Sequence, residues 1–191
     1  MKTNLLLLLL ISNGCIYGQR FNRYGNSSDT TKIFAINNYR YQVDSSAIKT
    51  DSINFVLDSI DVSGKIYNNK IETISFFKSS KSVLKVNFYL KNCNLVAADV
   101  KQPSPRYSDL NAFSIFYFES DSIFYSDYYF NTRICMATPL NKSPYDIYGY
   151  NPNLSGDQLK KYVNQLFSRL QTAPNICIAN SGTHTAKNQE R

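Results

Sequence analysis

Between Ser155 and Thr172 the apolar side chains Leu159, Tyr162, Val163, Leu166, Phe167 and Leu170 recur at the three-and-four spacing of one helical face. Ser155 is a good N-cap residue, and Gln158 three positions on completes a capping-box pattern. Asp157 falls in the first turn and Arg169 in the last, as the helix dipole favours. Pro174 stops the helix. A helix this amphipathic requires an apolar surface to cover, and the chain before it supplies one.

That surface is a series of short strands. Ser82–Leu90 has the cleanest period of two, with Leu84, Val86, Phe88 and Leu90 on one face and Val83, Lys85, Asn87 and Tyr89 on the other. Strands are also predicted over Lys65–Tyr67, Lys70–Phe77, Leu95–Val100, Phe113–Phe118 and Ile123–Phe130. Between them lie Asn68-Asn69, Lys78–Lys81, Lys91-Asn92 and Glu119–Ser122, which read as turns, while Pro103 and Pro105 break the pattern. Even spacing and short turns argue for an antiparallel meander rather than βαβ units.

The N-terminal third is less regular. Ile33–Val43 alternates loosely and reads as a first strand. Asp51–Ile60 fits either a short helix, through Ile53, Val56, Leu57 and Ile60, or an alternating strand, through Ile53, Phe55 and Leu57; the helix is the expectation taken here. Pro139–Pro152, rich in proline and tyrosine, is expected to be an ordered but irregular loop. The predicted fold is α+β: an antiparallel β-meander of about six strands, a C-terminal amphipathic helix on one face and a short N-terminal helix.

The runs Ser-Gly-Lys-Ile-Tyr-Asn-Asn-Lys-Ile-Glu-Thr-Ile, Val-Asn-Phe-Tyr-Leu-Lys-Asn-Cys-Asn-Leu-Val and Phe-Ser-Ile-Phe-Tyr-Phe-Glu-Ser-Asp-Ser-Ile share a rhythm of aromatic strand, short polar turn and apolar strand. Over roughly residues 63–130 this resembles a small uncharacterised exported family of Bacteroidota. The resemblance implies a β-meander and carries no functional residue. The turn glycines of that rhythm are replaced by Asn92 and Ser120.

Tyr (15) and Phe (12) are abundant and Trp is absent, which leans the composition towards pleated surfaces. Lys2, the apolar run Leu5–Ile11 and the small residues Ser12, Gly14 and Gly18 form a secretory signal, too short to span a bilayer. Two processing outcomes compete. Cleavage after Gly18 leaves Gln19 as the N-terminus of a periplasmic or extracellular protein; alternatively Ser12–Cys15 is a lipobox and Cys15 carries a lipid anchor to the outer membrane. The domain plan is a signal over 1–18, a flexible leader over 19–32, one domain over 33–179 and a polar tail over 180–191. Export leaves Cys93, Cys135 and Cys177 in an oxidising compartment. A Cys135–Cys177 bridge would clamp the predicted helix; three reduced thiols packed as small hydrophobes are the alternative.

No catalytic, cofactor or metal-binding set stands out. The one histidine, His184, lies in the polar tail, where no packed partner is in prospect for nucleophilic catalysis. Glu119, Asp121 and Asp127 gather around one hairpin and define the alternative reading, a carboxylate-dependent hydrolase acting on an envelope or extracellular polymer. The net charge of +7 directs attention to Lys81, Lys85 and Lys91, which share an alternation with Tyr89, with Lys78, Lys101 and Arg106 nearby in sequence. That face suits an anionic glycan, a lipid headgroup or an envelope protein. Export argues against nucleic acid. The competing interpretation is a solvated sheet face with lysines guarding against edge pairing. The expected role is a non-enzymatic binding or envelope-associated module.

Overall fold

The computed structural model describes residues 19–21, 27–131 and 142–173. The chain forms β1 (Gln19–Phe21), α1 (Ser27–Ser46), β2 (Lys49–Leu57), β3 (Ile60–Tyr67), β4 (Lys70–Phe77), β5 (Ser82–Lys91), β6 (Asn94–Pro103), β7 (Asn111–Glu119), β8 (Ser122–Phe130), α2 (Pro144–Tyr148), a 3-10 turn (Pro152–Leu154) and α3 (Gly156–Gln171). Strands β2 to β8 form an open antiparallel meander, and β1 pairs with the outer side of β8. The fold is the expected α+β meander.

Three hairpins turn through pairs of left-handed residues: Asp58-Ser59, Asn92-Cys93 and Ser120-Asp121, with φ between 47° and 68°. Two-residue turns with both φ positive match the twist of the flanking strands. Asn92 and Ser120 thus adopt at these turns the conformation that glycine usually supplies. Asn68-Asn69 does not take this conformation.

Helix α3 packs as its spacing predicts. The six named apolar residues are all buried, against Leu84, Val86 and Phe88 of β5 and the same face of β3, β4, β6 and β7. Phe167 lies 5.4 Å from Phe88, and Tyr162 lies 5.3 Å from Phe77, both ring to ring. The capping box does not form; the Ser155 hydroxyl donates instead to the Pro152 carbonyl at 2.6 Å. Gly64 of β3 allows close strand approach on this face, since a Cβ there would meet the Glu72 carbonyl at 2.9 Å.

The segment predicted as an irregular loop contains α2, closed by a capping box between Ser143 and Asp146 and ended by Gly149 at φ 72°. Its tyrosines pack locally. Tyr145, Tyr148 and Tyr150 surround Phe130, and the Tyr128 and Tyr145 hydroxyls lie 2.5 Å apart. Burial pushes the Tyr128 phenol far above its ordinary range, with the Tyr145 hydroxyl adding to it.

Three expectations are corrected. Ile33–Val43 is part of α1, not a strand. Asp51–Ile60 is strand β2 and its turn into β3, not a helix; the Ile53, Phe55, Leu57 alternation wins because those side chains lean on the α3 core. The leader expected over 19–32 contributes β1 and the first turn and a half of α1. The residues of the proposed signal, Cys15, Cys135, Cys177 and His184 lie outside the described residues.

Candidate functional site

Helix α1 lies on the face opposite α3, across one end of β4 to β7. Apolar contact is slight: Ile36, Tyr39 and Val43 meet Tyr89 and Ala97. Polar contacts do the rest. Lys32 reaches Glu119 at 2.6 Å, Tyr117 donates to Asn37 at 3.0 Å, Tyr39 donates to the Leu90 carbonyl, and Arg40 pairs with Asp99. At the C-terminal end Asp44 accepts from Lys70 at 2.8 Å and from the Tyr89 hydroxyl at 3.1 Å. Lys70 also meets Glu72 at 2.8 Å.

Burial sets the protonation behaviour of this clasp. It raises the Asp99 carboxyl above its usual range, although Arg40 pulls the other way. Burial would lower the Arg40 guanidinium, but Asp99 outweighs it and the net shift is upward. The Tyr89 phenol is driven well above its ordinary value by burial and by Asp99 and Asp44. Glu72 resists burial's upward push, because Lys70 and the Tyr67 hydroxyl hold its carboxylate below the usual range.

Since α1 covers only one end, the rest of this face is open among the described residues. The register brings Tyr129, Phe113, Lys101 and Lys85 side by side across β8, β7, β6 and β5. The same row continues through Ile74, Ser63 and Asn54 to β2. Six strand spacings make it about 29 Å long. The row floors a trough of about 750 Å³, with Arg40 and Asp99 at the α1 end. Phe113 and Tyr129 stack at 4.8 Å and 13°, and the Lys101 ammonium lies 5.7 Å from the Phe113 ring centre. Among the described residues no carboxylate pairs with Lys85 or Lys101. Like charges directly opposite on neighbouring strands are destabilising.

The predicted lysine–tyrosine face is therefore redrawn. Of Lys81, Lys85, Tyr89 and Lys91, only Lys85 lines the trough. Tyr89 is 1% exposed beneath α1. Lys81 sits in the turn before β5, and Lys91 lies over the Tyr39 ring at 5.7 Å. Lys78 pairs with Asp61 at 2.9 Å, and Arg106 donates to the Asp146 and Ile147 carbonyls at the end of α2. Sequence reasoning put Asn87 on the face of Lys85 but missed Phe113, Tyr129 and Arg40 as residues lining the same trough.

The three carboxylates do not converge. Glu119 is engaged by Lys32, Asp121 occupies a left-handed turn position, and buried Asp127 accepts from the Tyr128 amide at 2.9 Å. None of them lines the trough. No protein-family model, curated protein or solved structure matches the chain.

Proposed function

We propose that this chain is an exported, non-enzymatic binding module of the cell envelope whose ligand is anionic and occupies the trough beside α1. The observation that carries this reading is the juxtaposition of Lys85 and Lys101 on neighbouring strands with no carboxylate partner among the described residues. Two lysines directly opposite on neighbouring strands raise the energy of the empty protein and lower that of an anion complex. The export signal supports an envelope location. The separation of Glu119, Asp121 and Asp127 supports binding rather than hydrolysis, since a carboxylate pair must flank one scissile bond.

The test is thermal denaturation with inorganic phosphate, uronic-acid oligosaccharides, sulfated oligosaccharides and alkyl carboxylates. At least one anion is expected to raise the Tm of the native chain and leave that of Lys85→Gln/Lys101→Gln unchanged. The double variant without ligand should be no less stable than the native chain. Equal shifts in both proteins, or no shift with any anion, would overturn the reading.

A further inference from the structure

We propose that the anion bound at Lys85 and Lys101 is the head group of a single amphiphile whose hydrocarbon tail lies on the adjoining strip of β4 and β2. This rests on the binding reading above and names its ligand class. Six large hydrophobic side chains are strongly exposed among the described residues. Three of them, Ile74, Phe76 and Val56, stand together on the trough face at 45%, 41% and 63% exposure. Ile74 is the direct cross-strand neighbour of Lys85, and Phe76 follows it on the same face of β4. Val56 lies two strands across from Phe76, with Asp61 between them. The Asp61 carboxylate is held by Lys78 at 2.9 Å, so the strip carries no unpaired charge there. These side chains line a second depression of about 450 Å³, which shares Asn54, Ser63 and Ile74 with the first.

Two anomalies thus adjoin among the described residues: a cation pair without a counter-ion and an apolar patch without a cover. The carboxylate of an acidic sugar would answer the first, but its hydroxyls would gain nothing from the second. A bare inorganic anion would leave the patch wet. A molecule with a carboxylate or phosphate at one end and a chain of methylenes at the other satisfies both. The Asn87 amide, two residues from Lys85 on the same face, is placed to hydrogen-bond the head group. Asp99 and Glu72 also border the trough, but Arg40 pairs with the first, and Lys70, shared with Asp44, together with Lys65 offsets the second. The lysines sit in a depression beside α1 rather than on a projecting surface, which favours one extracted molecule over a bilayer.

The exported chain is titrated calorimetrically with dodecanoate below its micelle-forming concentration, and with hexanoate, acetate and dodecanol. Dodecanoate is expected to bind at least about tenfold tighter than acetate or dodecanol, with hexanoate between, because each buried methylene adds affinity. Lys85→Gln/Lys101→Gln should weaken dodecanoate about tenfold, and Phe76→Ser severalfold, while both variants keep the native Tm to within a few degrees. The inference fails if acetate binds as tightly as dodecanoate, if the double variant binds dodecanoate unchanged, or if binding occurs only to intact phosphatidylglycerol vesicles. It also fails, with the trough still standing as the binding site, if an acidic oligosaccharide binds through the two lysines and dodecanoate does not.

Discussion

Arg40→Met removes the charge that α1 places against Asp99 while keeping most of the apolar stem. The side chains of the pair are 16% and 26% exposed, so solvent screens them only in part. Breaking a fully buried pair by deleting one partner costs about 3–5 kcal/mol; discounting for this exposure leaves about 2–3 kcal/mol. In a chain of this size that lowers Tm by roughly 4–12 °C. The double replacement Arg40→Met/Asp99→Leu leaves no stranded charge and should lie within about 1 kcal/mol of the native chain. Urea unfolding of the four proteins gives the coupling directly, and about 1.5 kcal/mol or more is expected. The pH dependence has a definite sign. Burial already raises the folded-state pKa of Asp99, and without Arg40 it rises further. A raised folded-state pKa contributes stability that is present at low pH and lost as pH rises through it. The deficit of Arg40→Met relative to the native chain should therefore shrink between pH 7 and pH 4. A coupling under about 0.5 kcal/mol, or a deficit independent of pH, would refute the claim that this ion pair docks α1.

Leu166→Ala, at a fully buried position of α3, should cost about 3–5 kcal/mol from lost transfer energy and a residual cavity; exposed Gln165→Ala is the control, expected within about 0.5 kcal/mol. Glu72→Gln should flatten the acid limb of the stability curve. Its lowered folded-state pKa contributes stability above the usual carboxylate pKa that is lost as pH falls through the folded value, and a variant with an unchanged acid slope would contradict this. Mass spectrometry of the secreted chain should begin at Gln19, whereas a diacylglyceryl Cys15 would establish the lipoprotein alternative. Thiol titration of the denatured, unreduced secreted chain should give one thiol if Cys135 and Cys177 are bridged, and three if they are not.

The parts of the fold most legible in sequence were those built by greasy contact. Leu159 to Leu170 and Leu84 to Leu90 each bury one face, so their periods survive in the residue order. Helix α1 was misread because it docks by Lys32, Asn37, Arg40 and Asp44 rather than by an apolar stripe, and polar docking leaves no period to find. The trough was hidden by two bulges. Counting back from Asn92-Cys93 without a bulge sets Lys85 opposite Val100, but the irregularity at Tyr89/Leu90 moves the partner to Lys101. The irregularity at Tyr117/Phe118 likewise turns Phe113 from Tyr128 to Tyr129. One inserted residue per hairpin therefore decides which side chains meet, and neither is marked by a glycine.

The two helices grip the sheet by different forces, so brine should loosen one and tighten the other. At molar salt the screening length falls to about 3 Å and exposed contacts such as Lys32–Glu119 weaken, while the oily seam under α3 tightens. Concentrated salt should then loosen the Lys32 end of α1 and uncover the ring of Tyr117, with the less screened Arg40–Asp99 pair and the second layer still in place. A half-opened molecule of that kind would lengthen the trough towards the hairpin tips and admit a larger guest.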